Sequence, residues 1–331
     1  MKWGLWMKAT AKAHTNIALI KYWGKRDESL ILPMNNSLSL TLDGFYTETT
    51  VAFNHDLTED IFYLDHEQIS GEQFTKVSTF LDLIRSYANR PGLFAEVRSI
   101  NAVPTAAGFA SSASGFAALA AAATRALDLS IDDRTLSRLT RRGSGSACRS
   151  IYGGFVEWEK GSKDDGSDSF AVPVAPQKHW DVRVAAVVLS SDKKKVSSRV
   201  GMKRTVETSL FYTSWVDNIP TDLKNIKSAI QDRDFERMGE IAEANCQKMH
   251  ATTLGATPPF TYWHDTTLTV MQTVQALRTN GIPAYFTIDA GPNVKVLYQP
   301  ENEEVIQETL RKIPGVTNVI VSRSGQGVTY Q

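Results

Sequence analysis

The sequence predicts an α+β protein in which helices and sheets pack in layers. Strand patterns open the chain, because β-branched and aromatic residues alternate with others over residues 9–23 and again over 37–53. Helical spacing then dominates residues 197–280. Two apolar strand patterns follow at 284–289 and 294–298. This succession is typical of an α+β layered protein.

The other elements follow in chain order from the same periodicities. A turn signal, Leu-Asp-Gly-Phe, lies at 42–45 inside the second strand pattern. Residues 72–89 have helical spacing, and residues 93–101 form a strand that leads into a loop rich in glycine and serine. The further predicted elements are a helix ending at Leu127, a helix from Ser130 to about Gly143, a polar hairpin tip at 161–168, a strand at 181–189, a helix from Ser197 to about Trp215, a helix near 302–312 and a strand near 317–322.

Length and charge limit the class of protein. The chain has 331 residues, which suggests about two domains or one large elaborated one. We place a soft boundary near residue 182, which separates a first lobe of residues 1–182 from a second of 183–331. Lysine plus arginine equals aspartate plus glutamate, at 36 each, so no overall positive field favours nucleic acid or an acidic membrane. Any anion site must therefore be a local cluster, and a small-molecule partner is expected.

Several features predict a cytoplasmic protein. Cys148 and Cys246 make neither a disulfide framework nor a metal cluster with ligand spacing, which fits a reducing compartment. Lysines interrupt the N-terminal apolar residues, so these offer no signal-peptide core. Residues 106–127 approach the length of a membrane span, but alanine dominates and polar residues interrupt them. No membrane helix is expected.

The segment 104–115 opens a helix with small side chains and several hydroxyl groups. Gly108 lets the backbone approach an anion closely. Ser111 and Ser112 add hydroxyl donors, and the N–H groups of a first helical turn attract negative charge. The Gly-Lys-Ser/Thr ending of the Walker loop is missing, so nucleotide hydrolases of that type are not implied. An ordinary capped helix with closely packed alanines fits this motif equally well.

Two further segments combine cations with flexible backbone. Residues 16–27 read as a strand that ends at Gly24 and then presents Lys25 and Arg26, although solvated cations on a surface strand are the commoner case. Residues 141–150 place arginines on both sides of a turn rich in glycine and serine. Arginine donates two parallel hydrogen bonds to carboxylate or phosphate, so an anion site is favoured here over a plain loop after a helix.

Two segments of the second half carry similar signals. Residues 197–202 place serines and an arginine at a predicted helix N-terminus, where anions bind, although a serine N-cap beside a basic surface explains them equally well. In residues 285–293 an apolar strand ends at Asp289 and an Ala-Gly-Pro turn follows. A desolvated carboxylate at such a strand end can act on a substrate hydroxyl. Many aspartates in turns only accept backbone hydrogen bonds, so this signal depends on its neighbours.

In this order, the segments resemble the small-molecule kinase (GHMP) superfamily named for galactokinase, homoserine kinase, mevalonate kinase and phosphomevalonate kinase. They are most similar to the diphosphomevalonate decarboxylase (mevalonate diphosphate decarboxylase) family. The matching segments are 16–27 for its opening motif, 104–114 for its ATP loop, 142–150 for its substrate loop, 197–202 for its diphosphate segment and 289–293 for its catalytic strand end. The resemblance covers nearly the whole chain. It implies a two-lobed fold, with an N-terminal lobe like ribosomal protein S5, a ferredoxin-like C-terminal lobe and the active site in the cleft between them.

The resemblance implies ATP-dependent decarboxylation of mevalonate 5-diphosphate to isopentenyl diphosphate in isoprenoid biosynthesis, with ADP, phosphate and CO₂ released. ATP would be a cosubstrate accompanied by Mg²⁺, and no metal site of the protein's own is expected. The catalytic residues would be Asp289, which accepts the proton of the C3 hydroxyl or orients it, Arg149 at the carboxylate, and Lys25. The residues expected to bind substrate are Tyr22, Lys25, Ser144, Gly145, Ser146, Arg149, Ser198, Arg199 and Met202. Those expected to bind ATP are Ser99, Asn101, Gly108, Phe109, Ala110, Ser111, Ser112 and Lys193.

Some features depart from the pattern or leave alternatives. Residues 108–112 read Gly-Phe-Ala-Ser-Ser, where many kinases of the superfamily have Gly-Leu-Gly or Gly-Leu-Ala, and residues 1–7 fall outside the resemblance. A kinase of the same fold that phosphorylates mevalonate or phosphomevalonate without releasing CO₂ stays open. So does a catalytically silent ligand sensor, because a fold does not determine a function. The family resemblance further implies a homodimer.

Overall fold

A computed structural model describes residues 7–102, 111–189 and 195–331. Its strands are β1 (Met7–Ile20), β2 (Lys25–Asp27), β3 (Leu32–Pro33), β4 (Ser37–Phe53), β5 (Ile61–Leu64), β6 (Glu67–Gln68), β7 (Ala95–Asn101), β8 (Phe155–Trp158), β9 (Ala171–Ala175), β10 (Arg183–Val188), β11 (Ala284–Ile288), β12 (Val294–Tyr298), β13 (Asn318–Arg323) and β14 (Thr329–Tyr330). Its α-helices are α1 (Gly71–Tyr87), α2 (Ser111–Ala126), α3 (Asp133–Gly143), α4 (Ser198–Thr208), α5 (Tyr212–Asp232), α6 (Phe235–Leu254), α7 (Asp265–Thr279) and α8 (Glu303–Arg311). Short 3₁₀ helices span Gly145–Ile151, Gln177–His179 and Pro300–Asn302.

The first layer is an eight-stranded sheet in the order β14-β1-β4-β7-β5-β6, with β8 attached to β4 and β9 to β8. Strands β5 and β7 are parallel, whereas β1 and β4 pair antiparallel over most of their length. Helix α2 packs on β1 and β4. The alanines between Ala117 and Ala123 are buried in this contact. Their small side chains let the helix approach the sheet closely.

The second layer is an antiparallel sheet in the order β11-β12-β10-β13. One apolar core joins the two sheets, because Ile17 and Leu40 of the first cluster with Val184 and Leu297 of the second. Helix α6 contacts both β1 and β11. The carboxyl ends of these two strands, one from each sheet, therefore meet beside the same helix.

The α+β prediction is confirmed, and several elements lie within two residues of their predicted bounds. These are the helix at 72–89 and the strands at 93–101, 181–189, 284–289 and 294–298. The polar tip at 161–168 connects the antiparallel strands β8 and β9, as a hairpin requires. Periodicity located these elements because each buries one face, or both faces, over its whole length.

The predicted turn at 42–45 is wrong, because β4 continues through it. Between the pairs His14↔Tyr46 and Asn16↔Thr41 the register shifts, so the Asp-Gly pair forms a bulge. The Asp43 carboxylate accepts a hydrogen bond from Arg323 Nε at 2.7 Å, which ties the bulge to the second sheet. Residues that are typical of a turn therefore form a β-bulge here, because hydrogen bonds to the second sheet stabilise the bend in β4.

Two helix predictions also need correction. The helix expected from Ser197 to about Trp215 is two helices, since α4 ends at Thr208 and α5 begins at Tyr212. The Tyr212 hydroxyl donates to the carbonyl of Trp23 at 2.7 Å, which fixes the start of α5 against the first lobe. The helix expected from Ser130 begins at Asp133, because Asp132 is its N-cap and accepts from the N–H of Thr135.

No distinct sequence signal predicted the short strands, which are β2, β3, β5, β6, β8, β9 and β14. Strand β14 follows the second sheet in the chain but pairs with β1 of the first, at Ala11↔Tyr330 and Lys12↔Thr329. The boundary near residue 182 stays a prediction. Over the described parts of the chain, no helix is long and apolar enough to cross a membrane.

We expect Gly24→Ala to destabilise the fold strongly. Gly24 has a φ of +103°, and an added Cβ would stand 1.9 Å from the hydroxyl oxygen of Tyr212. Positive φ costs a non-glycine residue about 1–3 kcal/mol and overpacking costs about as much again, so the free energy of unfolding should fall by about 3 kcal/mol or more. Gly281→Ala is the control, because Gly281 has a φ of +82° with no atom within 4 Å of an added Cβ. Urea unfolding of both variants measures the difference, and equal losses would contradict the clash with Tyr212.

Candidate active site

An ion pair joins the two strand ends that meet beside α6. Lys21 follows β1 directly and Asp289 follows β11, and Lys21 Nζ lies 2.6 Å from Asp289 Oδ1. The Lys21 side chain is buried, whereas 39% of the Asp289 side chain is exposed. A carboxylate paired with a buried ammonium can accept a proton or a hydrogen bond from a substrate hydroxyl. The Asp289 side chain is therefore more than a turn acceptor.

The turn after β11 holds Asp289 in place. The N–H of Gly291 donates to the carbonyl of Asp289 at 2.7 Å. Asn293 is buried, and its Oδ1 accepts from the N–H of Leu189 at 2.9 Å. The first bond closes the turn, and the second ties its last residue to the end of β10 in the second sheet, so the carboxylate projects from a supported turn.

A buried arginine forms the second part of the site. Arg149 lies in the 3₁₀ helix Gly145–Ile151, and its guanidinium donates to Ser37 Oγ at 2.6 Å, to Ser39 Oγ at 2.9 Å and to Asn16 Oδ1 at 3.1 Å. All three acceptors are neutral. Arginine keeps its charge in proteins, so a buried guanidinium with neutral partners favours a ligand that brings an anion.

Arg149 and Asp289 interact through their charges. Burial lowers the pKa of the Arg149 guanidinium, and Cys148, Asp289 and Tyr22 act in the opposite direction through their charges. Burial also raises the pKa of the Cys148 thiol to about 12. Because the thiolate is the reactive form, Cys148 is not a nucleophile at neutral pH.

Tyr22 and the predicted substrate loop at 142–150 meet beside Arg149. The rings of Tyr22 and Trp158 lie 4.7 Å apart, and a Cβ at Gly145 would come within 3.1 Å of both. The Tyr22 hydroxyl is buried with no hydrogen-bond partner among the residues that the structure describes, and burial raises its pKa. Buried polar atoms are almost always paired, so this hydroxyl indicates a place for a ligand oxygen. Asn16 Nδ2 donates to the carbonyl of Ser146 at 3.1 Å, which joins the loop to Arg149.

The predicted diphosphate segment lies next to Lys25. Helix α4 packs against β2, which carries Lys25. The Lys25 ammonium is paired with the carboxylate of Glu28. Ser197 is the N-cap of α4 and accepts from the N–H of Val200, so its own role is structural. The three predicted substrate residues of this helix are Ser198, Arg199 and Met202.

A pocket of about 230 Å³ lies between α1, α2 and strands β4, β5 and β7. The predicted ATP residues Ser99, Asn101 and Ser112 line it. Thr47 Oγ1 donates to Asn101 Oδ1 at 2.8 Å, and Thr49 and Ser99 share a hydrogen bond of 2.8 Å. Apolar walls with a few polar groups suit a nucleotide base. Other residues that line the pocket are Phe62, Leu64, Gln73, Lys76, Val97 and Phe116.

Some predicted residues cannot be placed, and others were missed. Gly108, Phe109, Ala110 and Lys193 lie outside the described residues, and Ser111 is described only as the first residue of α2.

Sequence reasoning assigned Lys25 to catalysis and did not assign Lys21, which contacts Asp289. It also missed Asn16, Ser37, Ser39 and most of the pocket. For the two serines a signal existed, since residues two apart on a strand face the same side.

Comparison with known proteins places this geometry in context. A diphosphomevalonate decarboxylase-like N-terminal domain matches residues 13–171, and a mevalonate 5-diphosphate decarboxylase C-terminal domain matches residues 184–327. The diphosphomevalonate decarboxylase of Candida albicans is 39% identical over 324 residues, which cover 93% of this chain and 90% of that protein.

Two solved structures are similar over 98% of each chain. The mevalonate diphosphate decarboxylase of Staphylococcus aureus is 51% identical, with a TM-score of 0.94. A protein called MDDEF, solved in complex with MVAPP, AMPPCP and magnesium, is also 51% identical, with a TM-score of 0.91. These similarities confirm the predicted two-lobed kinase-type fold.

Proposed function

This chain belongs to the diphosphomevalonate decarboxylase family, and we propose that Asp289, Lys21 and Arg149 form its catalytic centre. The protein catalyses the ATP-dependent decarboxylation of mevalonate 5-diphosphate to isopentenyl diphosphate, with release of ADP, phosphate and CO₂. The observation that carries the proposal is the ion pair between Lys21 and Asp289. The charge of Arg149, whose hydrogen-bond acceptors are neutral, interacts with that of Asp289.

The first step needs a carboxylate at the tertiary C3 hydroxyl of the substrate. Asp289 approaches this hydroxyl and accepts its proton or orients its oxygen, while that oxygen attacks the γ-phosphoryl group of ATP. Lys21 Nζ, 2.6 Å away, stabilises the ionised carboxylate by its charge. The Lys21 side chain is buried, so solvent screens its charge less than it screens the charge of a surface ammonium.

The second step needs a cation at the substrate carboxylate. The C3–O bond breaks and phosphate leaves, which puts positive character on C3. The electrons of the bond between C2 and the carboxylate then form the alkene, and CO₂ departs. Arg149 binds the carboxylate and holds that bond in line with C3, since its planar guanidinium can donate two hydrogen bonds to one carboxylate.

The remaining predicted ligands surround these two groups. The rest of the substrate, with its diphosphate, is bound by residues of three segments, which are the connection from β1 into β2, the substrate loop at 142–150 and the start of α4. These residues are Tyr22, Lys25, Ser144, Gly145, Ser146, Ser198, Arg199 and Met202. The nucleotide base occupies the pocket lined by Ser99 and Asn101, and the triphosphate extends from there along the start of α2.

Magnesium supplies charge neutralisation to the phosphates of bound ATP. In the described residues, no group of three His, Cys, Asp or Glu side chains could hold a metal ion. Mg²⁺ often keeps several water ligands and binds phosphate oxygens, so it needs few ligands from the protein. The Ser112 hydroxyl, which lies in the pocket wall, is one available oxygen.

We expect removal of Mg²⁺ to abolish turnover without unfolding the protein. Excess EDTA should reduce CO₂ release by at least about 10²-fold, because the phosphates of ATP lose their counter-charge. Adding Mg²⁺ back should restore the rate. Circular dichroism checks the fold, and substantial turnover in EDTA would contradict the requirement for a divalent ion.

Product analysis tests the function itself. Pure protein is incubated with Mg²⁺, ATP and mevalonate 5-diphosphate, and ADP, CO₂ and isopentenyl diphosphate are measured together. Equal release of all three is expected. ADP with a phosphorylated product that keeps its carboxylate would indicate a kinase of the same fold, and folded protein without any turnover would indicate a silent sensor.

We further propose a cytoplasmic location and a homodimer. Cys148 and Cys246 are both buried free thiols, as expected in a reducing compartment. The homodimer rests on the family resemblance. Light scattering tests it, because the chain has a mass of 36.6 kDa and a dimer has twice that mass.

A further inference from the structure

Helix α6 contacts the main chain on both sides of the Lys21–Asp289 pair. β1 ends at Ile20, so the N–H of Lys21 lies just beyond that strand. Asn245 of α6 is fully buried, and its Oδ1 accepts from the Lys21 N–H at 2.9 Å. A second buried amide, Asn35, donates to the Lys21 carbonyl at 2.7 Å. The backbone of Lys21 is therefore held by two side-chain amides instead of a neighbouring strand.

A carboxylate sets the orientation of the Asn245 amide. Asn245 Nδ2 donates to Asp222 Oδ2 of α5 at 2.8 Å. An ionised carboxylate only accepts hydrogen bonds, so Asn245 must turn its NH₂ group toward Asp222 and its oxygen toward Lys21. Asp222 itself accepts from Asn218 Nδ2 at 2.7 Å and from Lys248 Nζ at 3.3 Å. The orientation of one buried amide thus depends on a carboxylate on the neighbouring helix.

Two further residues of α6 hold the backbone before Asp289. The N–H of Ile288 donates to Cys246 Sγ at 3.0 Å, and His250 Nε2 donates to the Ile288 carbonyl at 3.2 Å. Burial lowers the pKa of His250 to about 4, so its ring is neutral at physiological pH. Because a carbonyl oxygen only accepts, the ring proton lies on Nε2. One helix therefore supports both partners of an ion pair whose members come from different sheets.

We infer that Asn245, oriented by Asp222, is a positioning residue that aligns Lys21 with Asp289 for the reaction. The side chain touches neither of the reacting groups, and it acts through the main chain of Lys21. A hydrogen bond of 2.6 Å between two groups 268 residues apart in the chain requires both backbones to be fixed. The inference rests on the catalytic role proposed for the pair.

A double-mutant cycle tests it. In the wild-type background we expect Asn245→Leu to lower kcat by about 10-fold, with both KM values changed by less than about 3-fold. In a Lys21→Met background the same substitution should change kcat by less than about 2-fold, because the group that it positions is gone. A purely structural role would lower kcat equally in both backgrounds, and that result overturns the inference.

Asp222→Asn is the second variant, because it keeps the shape of the side chain if Asn245→Leu fails to fold. A neutral amide at this position can donate or accept, so the Asn245 amide is free to turn over. We expect kcat to fall by about 3-fold or more, and again only when Lys21 is present. Unchanged kcat in Asp222→Asn overturns the inference.

Lys248→Met is the matched control. Lys248 contacts the same carboxylate, but 44% of its side chain is exposed. Activity should stay within about 2-fold of wild type, since loss of an exposed ion pair has a small effect. If Lys248→Met lowers kcat as much as Asn245→Leu does, the charge around Asp222 matters and the orientation of the Asn245 amide does not, which overturns the inference. If Lys21→Met itself leaves kcat unchanged, the proposed catalytic pair fails, which is a different pattern from failure of the positioning role alone.

Discussion

Asp289→Asn should lower kcat by about 10²- to 10⁴-fold while mevalonate 5-diphosphate still binds. The amide has the size of the carboxylate but no negative charge, so it can neither take the hydroxyl proton nor pair with Lys21 at 2.6 Å. Steady-state kinetics and calorimetric binding of the substrate separate the two effects.

The control for this prediction is Asp43→Asn. Asp43 is also partly exposed and also paired with a basic side chain, Arg323 at 2.7 Å, but it lies in the β4 bulge. Its variant should retain wild-type kcat as a folded protein. Near-normal turnover in Asp289→Asn would remove this carboxylate from the mechanism, whatever the control shows.

Arg149→Ala should lower kcat/KM by at least about 30-fold, equivalent to about 2 kcal/mol of transition-state stabilisation. The variant removes the buried cation that we assign to the substrate carboxylate. Arg149→Lys should recover only part of the loss, because an ammonium cannot reproduce the planar donors that reach Ser37, Ser39 and Asn16 together. Unchanged kcat/KM in Arg149→Ala would place the carboxylate elsewhere.

Arg141→Ala is the matched control for Arg149. Arg141 is equally buried and belongs to the same segment, but it donates to the carbonyls of Gly166 and Ser169 in the loop between β8 and β9. We expect a lower free energy of unfolding and an unchanged kcat/KM for the folded fraction. Thermal unfolding and kinetics on the same samples distinguish a loss of folding stability from the loss of a contact with the substrate.

Local chemistry explains which parts of the site were predictable. A glycine and serine loop at a helix start, an arginine beside flexible residues and an aspartate at a strand end each depend on a few neighbours in the chain. These local signals singled out the segments that contain Arg149 and Asp289, and the family resemblance assigned their roles. In the structure the charge of Asp289 acts on Arg149. The turn at 42–45 failed by the same logic, because its local signal was overridden by hydrogen bonds from Arg323.

The sequence by itself determined the α+β class, most helices and long strands, and the order of the anion-binding segments, since these depend on periodicity and local backbone preference. Only the tertiary structure decided which charged groups meet. It pairs Asp289 with Lys21, which the sequence had not singled out, assembles the pocket from α1, α2 and three strands, and returns β14 to the first sheet. Contacts between residues far apart in the chain depend on how layers pack around a shared core, and no single segment contains that information.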